Sequence, residues 1–543
     1  MREILNNQVL PLVRKPARYI GNELNSIHKD WDTAKLRIAL AYPDLYEVGM
    51  SNLGLQILYH ILNEMDDVLA ERVYAPAQDM AEQLKANNLP LFSLESWTPI
   101  GKFNLLGFSL GHELTYTNLL EMLKLSNIPI YSKDRDNSHP LIFAGGPSTM
   151  NPMPISEFID FFVIGEGEEV IVEIVDVIRN TENVKRNDKL EQLSKIPGVY
   201  VPSIGNKTSK RYVKDLNSAP YPTKPIVPFI EIIHDRAMVE VMRGCKHMCK
   251  FCNACVGYNP VRERKPETVL KLAYEILKNT GYDELSLISL SSSDYSAIEP
   301  VARELAVKLE KQKVNLALPS LRLDSFSMKL AKEIQRVRPT SVTMAPEAGT
   351  QRLRDLVGKR LTEEDILSGA RAAFSEGVTN LKLYFMIGLP TETQEDLAGL
   401  IELTKRIADI GREYNPRFHV TASVSTFIPK PHTPFERERQ IGLAEIQERQ
   451  NYLKQNLKGR GLELRWHDAR TSILEGVFSR GDSRLSKVIE RAHELGARFD
   501  AWTEHFKFEL WEQAMAECGL KIDDYLKNKD KEGELPWSII SAR

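Results

Sequence analysis

The chain has 543 residues, 42% of them hydrophobic and 27% charged, with a formal net charge of −3. That length exceeds a single compact core and implies about two to four domains, and the near balance of charge excludes a surface dominated by phosphate binding. No apolar run reaches the ~18 residues that cross a bilayer, and the N-terminus MREILNNQVLPLVRKPARYIG lacks the apolar stretch of a signal peptide, so the sequence reads as a cytoplasmic protein with no membrane partner.

In chain order, residues 1–35 read as an N-terminal arm. The segments 37–43, 105–110, 140–146 and 161–165 are short apolar runs ending in turn residues, and helical periodicity follows them over 53–65, from Thr115, and from Glu168. Such alternation predicts a doubly wound, Rossmann-like domain over 36–190. The Pro-, Ser- and Asn-rich stretch 191–235 predicts a linker or strap. A second alternating series over 236–440 supplies six strands, at 238–244, 285–290, 315–321, 341–346, 381–390 and 419–429. Six βα repeats predict a partial (β/α)6 barrel of the TIM type, whose chemistry sits at the carboxyl ends of its strands. Residues 441–543, with Trp466, Trp502 and Trp511, predict a mainly helical C-terminal region; the fold class is α/β. In that region His467 and His505 are candidate proton carriers at a barrel mouth, with structural packing the alternative. Arg262, Arg264 and Lys265 form a basic stretch, read as a solvated charge run or a phosphate contact.

Four of the five cysteines fall between Cys245 and Cys255, and the fifth is Cys518. Disulfide frameworks spread their cysteines, so this clustering points to a metal site in a reducing compartment. Cys245, Cys249 and Cys252 stand at i, i+4 and i+7, just after a strand. Three thiolates on one short loop can hold three irons of a cubane and leave the fourth iron open. The alternative is a zinc site, which usually needs a second knuckle; Cys255 or His247 would have to complete it locally.

The spacing, with Arg243-Gly244 before the first cysteine and Phe251 before the third, resembles the radical S-adenosylmethionine superfamily. The resemblance implies a [4Fe–4S] cluster on Cys245, Cys249 and Cys252 that reductively cleaves S-adenosylmethionine to a 5′-deoxyadenosyl radical. It also implies cofactor contacts at strand ends: Phe251; Ser291 and Ser292 where the superfamily often has a GGE-type turn; Ser320 and Arg322, the latter for the carboxylate; Glu347 for the ribose; Met386 and Gly388 on the adenine side; and Phe427. The segment Asp44-Leu45-Tyr46-Glu47-Val48-Gly49, followed by Ser109, Gly145 and Gly146, resembles a cobalamin-binding domain in which tyrosine replaces the cobalt-ligating histidine.

The whole chain is therefore similar to the B12-binding-domain branch of the superfamily, in a subgroup with PEAG and FIPKPHTPF segments, and admits cobalamin as a third cofactor. The resemblance implies methyl transfer to an unactivated carbon with cobalamin, or without it a methylthiotransferase-like RNA modification. A non-catalytic iron–sulfur sensor or assembly protein is a further alternative. The substrate class, small molecule or RNA, is open, and an electron donor such as a flavodoxin or ferredoxin is the expected partner. Relatives of this subgroup are expected to continue past Leu535-Pro536-Trp537, so a C-terminal truncation is expected.

Overall fold

The structure, a computed structural model, describes residues 1–181, 184–318 and 342–542. The chain divides into two compact units, one of residues 1–235, 478–522 and 534–543 and the other of residues 236–477 and 523–533. No described helix is long and apolar enough to cross a membrane.

The first unit is built on a six-stranded sheet of order β2-β1-β3-β4-β5-β6. Its strands are β1 (Leu36–Tyr42), β2 (Val68–Tyr74), β3 (Leu105–Ser109), β4 (Leu141–Gly145), β5 (Phe161–Val163) and β6 (Val199–Tyr200). The first five are parallel and β6 runs antiparallel to β5. Both faces are covered, as parallel strands require, so β1 reads as one near-continuous apolar run.

β2 escaped the sequence reading because Glu71 and Arg72 interrupt its apolar pattern, yet every residue of it is buried. Arg72 lies between Glu23 at 2.8 Å and Glu95 at 2.6 Å, while Glu71 accepts from Ser93 at 2.5 Å and Ser96 at 2.6 Å. Burial of charge is tolerated here because each charge has a bonded partner. Strand order reverses between β1 and β3, the place where open α/β sheets bind ligands.

The segment read as a linker supplies β6 and a two-residue bridge, Thr208–Ser209 with Ile540–Ser541. The residues after 440 are shared between the units. Those in the first unit fold as the helices Leu485–Leu495 and Phe508–Glu517 and bond to the segments that follow β1, β3 and β4. Trp502 donates to Asp44 at 2.9 Å, Ser479 to Glu113 at 2.5 Å, and Asn151 to the Ser479 and Gly481 carbonyls at 3.1 and 2.9 Å.

In the second unit, β7 (Ala237–Glu240), β10 (Glu284–Ile288) and β11 (Asn315–Ala317) form a parallel sheet of order β11-β10-β7. A four-stranded parallel sheet runs in order β12 (Val342–Glu347), β13 (Asn380–Ile387), β14 (His419–Thr426), β15 (Leu462–Trp466). Helices 266–280, 298–312, 363–375, 394–414 and 443–456 alternate with them. The strand Leu462–Trp466 adds to the six expected. Its two faces are half-buried or exposed, which hid it within a charged stretch. A short antiparallel pair, β8 (Met242–Arg243) with β9 (Arg262–Glu263), closes the base of the cysteine-bearing segment.

Candidate functional site

Residues named as candidates from the sequence stand at five strand ends of the second unit. The cysteine segment follows β7 and β8, Ser291 and Ser292 follow β10, Glu347 ends β12, Gly388 follows β13 and Phe427 follows β14. All stand at the carboxyl ends of parallel strands, where barrel enzymes place their sites. Ser320 and Arg322 lie outside the described residues.

The cysteine segment is fastened at several points. Gly244 has φ +89°, and a Cβ there would meet Asn259 Oδ1 at 2.8 Å and the Pro260 carbonyl at 2.9 Å, so both conformation and space require glycine. Asn259 Oδ1 accepts from the Cys245 N–H at 2.8 Å, and its Nδ2 donates to the Cys245 carbonyl at 3.2 Å and to Met248 Sδ at 2.8 Å. The Lys250 N–H donates to the Val357 carbonyl at 2.9 Å.

Arg262 donates to the Pro260 and Tyr258 carbonyls at 2.9 and 2.7 Å, and Arg264 to the Glu240 carbonyl at 2.9 Å. Both guanidiniums are buried. They therefore hold the segment's backbone, and the basic stretch at these two positions is neither a solvated run nor a phosphate contact.

The loop's other polar side chains are tied elsewhere. His247 Nε2 sits 2.7 Å from Asp294 Oδ2, and Lys246 reaches the Asp294 carbonyl at 3.0 Å and Glu263 at 3.2 Å. Among the described residues, no three His, Cys, Asp or Glu side chains converge on a point where one ion could sit. A mononuclear site needs that convergence, whereas a cubane takes one thiolate at each of three irons and holds them further apart.

All the cysteines are free. Cys245 is drawn down to about 6, first by a hydrogen bond from Cys255 and then by the His247 N–H, against desolvation. Cys252, the cap residue of helix Asn253–Tyr258, is drawn down to about 7 by Cys255 and by the N–H groups of Cys255 and Ala254. Burial pushes Cys249 up to about 11, with Lys359 opposing and Glu347 adding to the effect. The donor set fits a cluster: three thiols of one loop, two of them already favoured as thiolates.

Glu347 adopts φ +69°, a strained conformation for a residue with a side chain, at a register shift in the pairing of β12 with β13. Lys359 Nζ holds its carboxylate at 3.1 Å. Three of the residues expected around the cofactor share one apolar cluster: Phe427 is in its core with Ala348, Leu353, Val357, Leu389 and Phe435, and Phe251 and Met386 pack against it. Gly388, at φ +78°, donates its N–H to both oxygens of Glu392, at 2.9 and 3.0 Å, and Arg449 pairs with Glu392 at 2.8 Å. Burial raises the Glu392 carboxyl. Ser292 donates to the Leu287 carbonyl at 3.3 Å, while the Ser291 hydroxyl is buried with no hydrogen-bond partner. A buried hydroxyl without a partner fits a polar ligand group at this strand end.

Asn259, Lys359 and Arg449 were absent from the sequence reading. Each acts across a gap in the chain that no local motif spans.

The residues expected on a cobalamin side lie in the first unit. Ser109 and Gly145 are register partners at the ends of β3 and β4, and Gly146 follows at φ +108°. A Cβ on Gly49 would meet the Tyr74 ring at 2.3 Å, so that glycine serves packing. Tyr46 is turned inward: its hydroxyl donates to Glu23 at 2.9 Å, its ring packs edge-on against Tyr74, and burial raises its pKa. Asp44 accepts from the Leu45 N–H at 2.7 Å and from Trp502 at 2.9 Å. Neither side chain is presented to a ligand, and with residues 479–502 bonded across the segments after β1, β3 and β4 this edge as it stands does not fit a corrin. His505 stacks at a tilt on Phe499, and Trp511 donates to Asp500 at 2.9 Å, so both belong to the packing of this unit.

Two family descriptions match the chain: "Radical SAM proteins, N-terminal" over residues 54–202 and "Radical SAM superfamily" over residues 239–404. An uncharacterised protein of Methanocaldococcus jannaschii is 30% identical over 457 residues, covering 83% of this chain and 90% of its own. The cobalamin-dependent S-adenosylmethionine radical enzyme OxsB, solved with aqua-cobalamin and S-adenosylmethionine, superposes with a TM-score of 0.54 at 13% identity, over 95% of this chain and 76% of its own. The radical S-adenosylmethionine methyltransferase TsrM of Kitasatospora setae, solved with cobalamin and a [4Fe–4S] cluster, gives 0.51 at 14% identity, over 74% and 77%. At such identities the likeness to the two solved proteins is one of fold. Together with the matched families and the long archaeal relative, it shows that the chain belongs to the radical SAM superfamily and is a radical SAM enzyme.

Proposed function

We propose that Cys245, Cys249 and Cys252 hold the [4Fe–4S] cluster and that S-adenosylmethionine lies against Phe251, Ser291, Ser292, Glu347, Met386, Gly388 and Phe427. The observation that carries this reading is the packing of Phe251, Met386 and Phe427, from three separate strand ends, into one apolar cluster. When bound, the cluster supplies the electron that cleaves the sulfonium of S-adenosylmethionine.

The chain's own residues do the rest. The partnerless Ser291 hydroxyl offers a donor and an acceptor to the amino-acid end of the cofactor. Glu347, fixed by Lys359, accepts from ribose hydroxyls, and its strained backbone aims the carboxylate off the strand. Glu392, by holding the Gly388 N–H, fixes the turn on the adenine side. The apolar cluster keeps water from the sulfonium. Glu347→Gln should weaken S-adenosylmethionine binding about tenfold, measured by the ligand-induced change in the cluster's paramagnetic spectrum, with iron content unchanged. Unaltered affinity would remove the ribose role.

A second reading, cobalamin-dependent methyl transfer, draws support from the fold shared with OxsB and TsrM. It requires residues 479–502 to leave the ends of β1, β3 and β4, and no step above is routed through cobalamin. Equilibrium dialysis with hydroxocobalamin tests it: uptake by the full chain, increased in Trp502→Ala, supports the reading, and absence of uptake by both proteins removes it. Methylthiotransferase-like modification of RNA remains the alternative without cobalamin, and a flavodoxin- or ferredoxin-type protein is the proposed electron donor.

A further inference from the structure

We propose that the open face of β13 is a substrate wall and that Lys382 on it anchors an oxyanion, carboxylate or phosphate, of a small-molecule substrate. This rests on the reading of the site given above and names its substrate class. Side chains of β13 alternate sharply. Leu381, Leu383, Phe385 and Ile387 are at most 1% exposed, whereas Asn380, Lys382, Tyr384 and Met386, on the other face, are exposed or half-buried. β13 has a bonded strand on either side, so this face lies within the sheet and is not a free edge. At its upper end Met386 packs, as Phe251 does, against the apolar cluster that contains Phe427. Tyr384 and Lys382 thus continue the same face downward from the place proposed for the cofactor.

The neighbouring strand sets hydroxyls beside them. Thr421, Ser423 and Ser425 of β14 are the register partners of Lys382, Tyr384 and Met386, and Glu463 and Arg465 of β15 partner Thr421 and Ser423. Interiors of parallel barrels are ordinarily filled by branched apolar side chains. A row of lysine, tyrosine, threonine and serine does not serve that packing, and Tyr384, 39% exposed, is left uncovered by the protein.

The charges on this face select the ligand. Glu463 is satisfied within the face, by Arg465 at 2.6 Å, His419 at 3.0 Å and Thr421 at 3.2 Å. The Lys382 ammonium instead lies 4.7 Å from the centroid of the Tyr384 ring, and among the described residues no oxygen of the chain accepts from it. A cation over a ring keeps its three N–H donors for another partner. One unpaired cation matches one anionic group, whereas a strand of RNA calls for a track of cations along its phosphates. Lys382 reaches up to the level of Tyr384, one pleat repeat of about 7 Å below Met386. A substrate held there has its oxyanion about 7 Å from the carbon it presents to the cofactor, and the anchor fixes that carbon's position.

The test is saturation-transfer nuclear magnetic resonance on the reconstituted full chain with S-adenosylmethionine, for wild type, Lys382→Met and Lys382→Arg. The probes are phenyl phosphate, benzoate and, as neutral control, benzyl alcohol. The wild type is expected to bind at least one anion, about fivefold or more weakly in Lys382→Met and within about twofold in Lys382→Arg, as loss and retention of one charged hydrogen bond require. Benzyl alcohol should be indifferent to both substitutions. Tighter binding of phenyl phosphate assigns phosphate as the oxyanion, and tighter binding of benzoate assigns carboxylate. Absence of binding of either anion by the wild type, or equal binding by Lys382→Met, overturns the proposal. Equal weakening in both variants overturns it in favour of a packing role. Iron content and the S-adenosylmethionine-induced change in the paramagnetic spectrum, read on the same wild-type sample, report separately on the site. Their absence removes the reading of the site itself, and the proposal with it.

Discussion

The side-chain amide of Asn259 brackets Cys245, accepting from its N–H at 2.8 Å and donating to its carbonyl at 3.2 Å. A residue fourteen positions downstream thereby fixes Cys245, the first of the three cysteines proposed to hold the cluster, and the same amide oxygen stands where a side chain on Gly244 would fall.

Replacing Asn259 with alanine leaves the Cys245 N–H and carbonyl without these partners, at a cost of about 1–3 kcal/mol. The expected result is a cluster lost several-fold faster to an iron chelator than in the wild type, with an unchanged far-ultraviolet dichroism spectrum. Gly244→Ala should act in the same direction and more strongly, since it adds a close contact to a positive φ. Chelator half-lives equal to the wild type would show that the loop holds its shape without this clip.

Arg449 and Glu392 form a pair in which the carboxylate is 3% exposed and the guanidinium 20%. Arg449→Met leaves a buried carboxylate beneath the Gly388 turn and should cost about 2–3 kcal/mol in urea denaturation, since breaking one partner of a buried pair strands the other. The double variant Arg449→Met/Glu392→Gln should recover most of that loss. No recovery would mean that Arg449 acts through packing.

His493 lies in the first unit, its side chain 1% exposed, with Nε2 2.9 Å from Glu121; Arg498 and Lys124 also face it. Burial, with Arg498 and Lys124 adding, lowers its pKa from 6.5 to about 4 although Glu121 opposes. The unfolded chain therefore binds a proton on this residue between pH 6.5 and 4 that the folded chain refuses. Stability contributed by the neutral ring is full above pH 6.5 and falls as pH drops toward 4, by up to about 3 kcal/mol. His493→Gln, which can still donate to Glu121, should flatten that part of the stability profile. The Glu121 carboxyl, held well below its usual range by His493, Arg498 and Lys85, loses its own contribution only at still lower pH. An unflattened profile would place the acid sensitivity elsewhere.

Trp502→Phe removes the indole donor from Asp44, a buried carboxyl whose pKa desolvation already raises. A loss of about 1–3 kcal/mol in unfolding of the first unit is expected. Thermal unfolding that matches the wild type would show that Asp44 finds another donor.

How far the sequence leads depends on where each signal lies along the chain. Apolar runs mark β1, β3 and β4 nearly to the residue, because strands buried on both faces need unbroken hydrophobicity. β2 is hidden by Glu71 and Arg72, whose partners Ser93, Ser96, Glu23 and Glu95 come from other segments. In the second unit, the resemblance at Phe251, Met386 and Phe427 locates strand ends that the fold then gathers around one apolar cluster. What stays illegible is the support: Asn259 under Cys245, Lys359 beside Glu347, and Arg449 behind Glu392 are single residues whose roles arise only from tertiary contact. The half-exposed strand Leu462–Trp466 was concealed by its own charge for the same reason that it can stand at a sheet edge.

The central claim is that this loop and these strand ends cleave S-adenosylmethionine. The direct measurement is anaerobic: reconstitute iron and sulfide, add S-adenosylmethionine and dithionite, and quantify 5′-deoxyadenosine from wild type and from Cys249→Ala. The account predicts product from the wild type and none above background from the variant. Equal product from both, or none from a wild type carrying four irons even when cell extract supplies substrate, would contradict it.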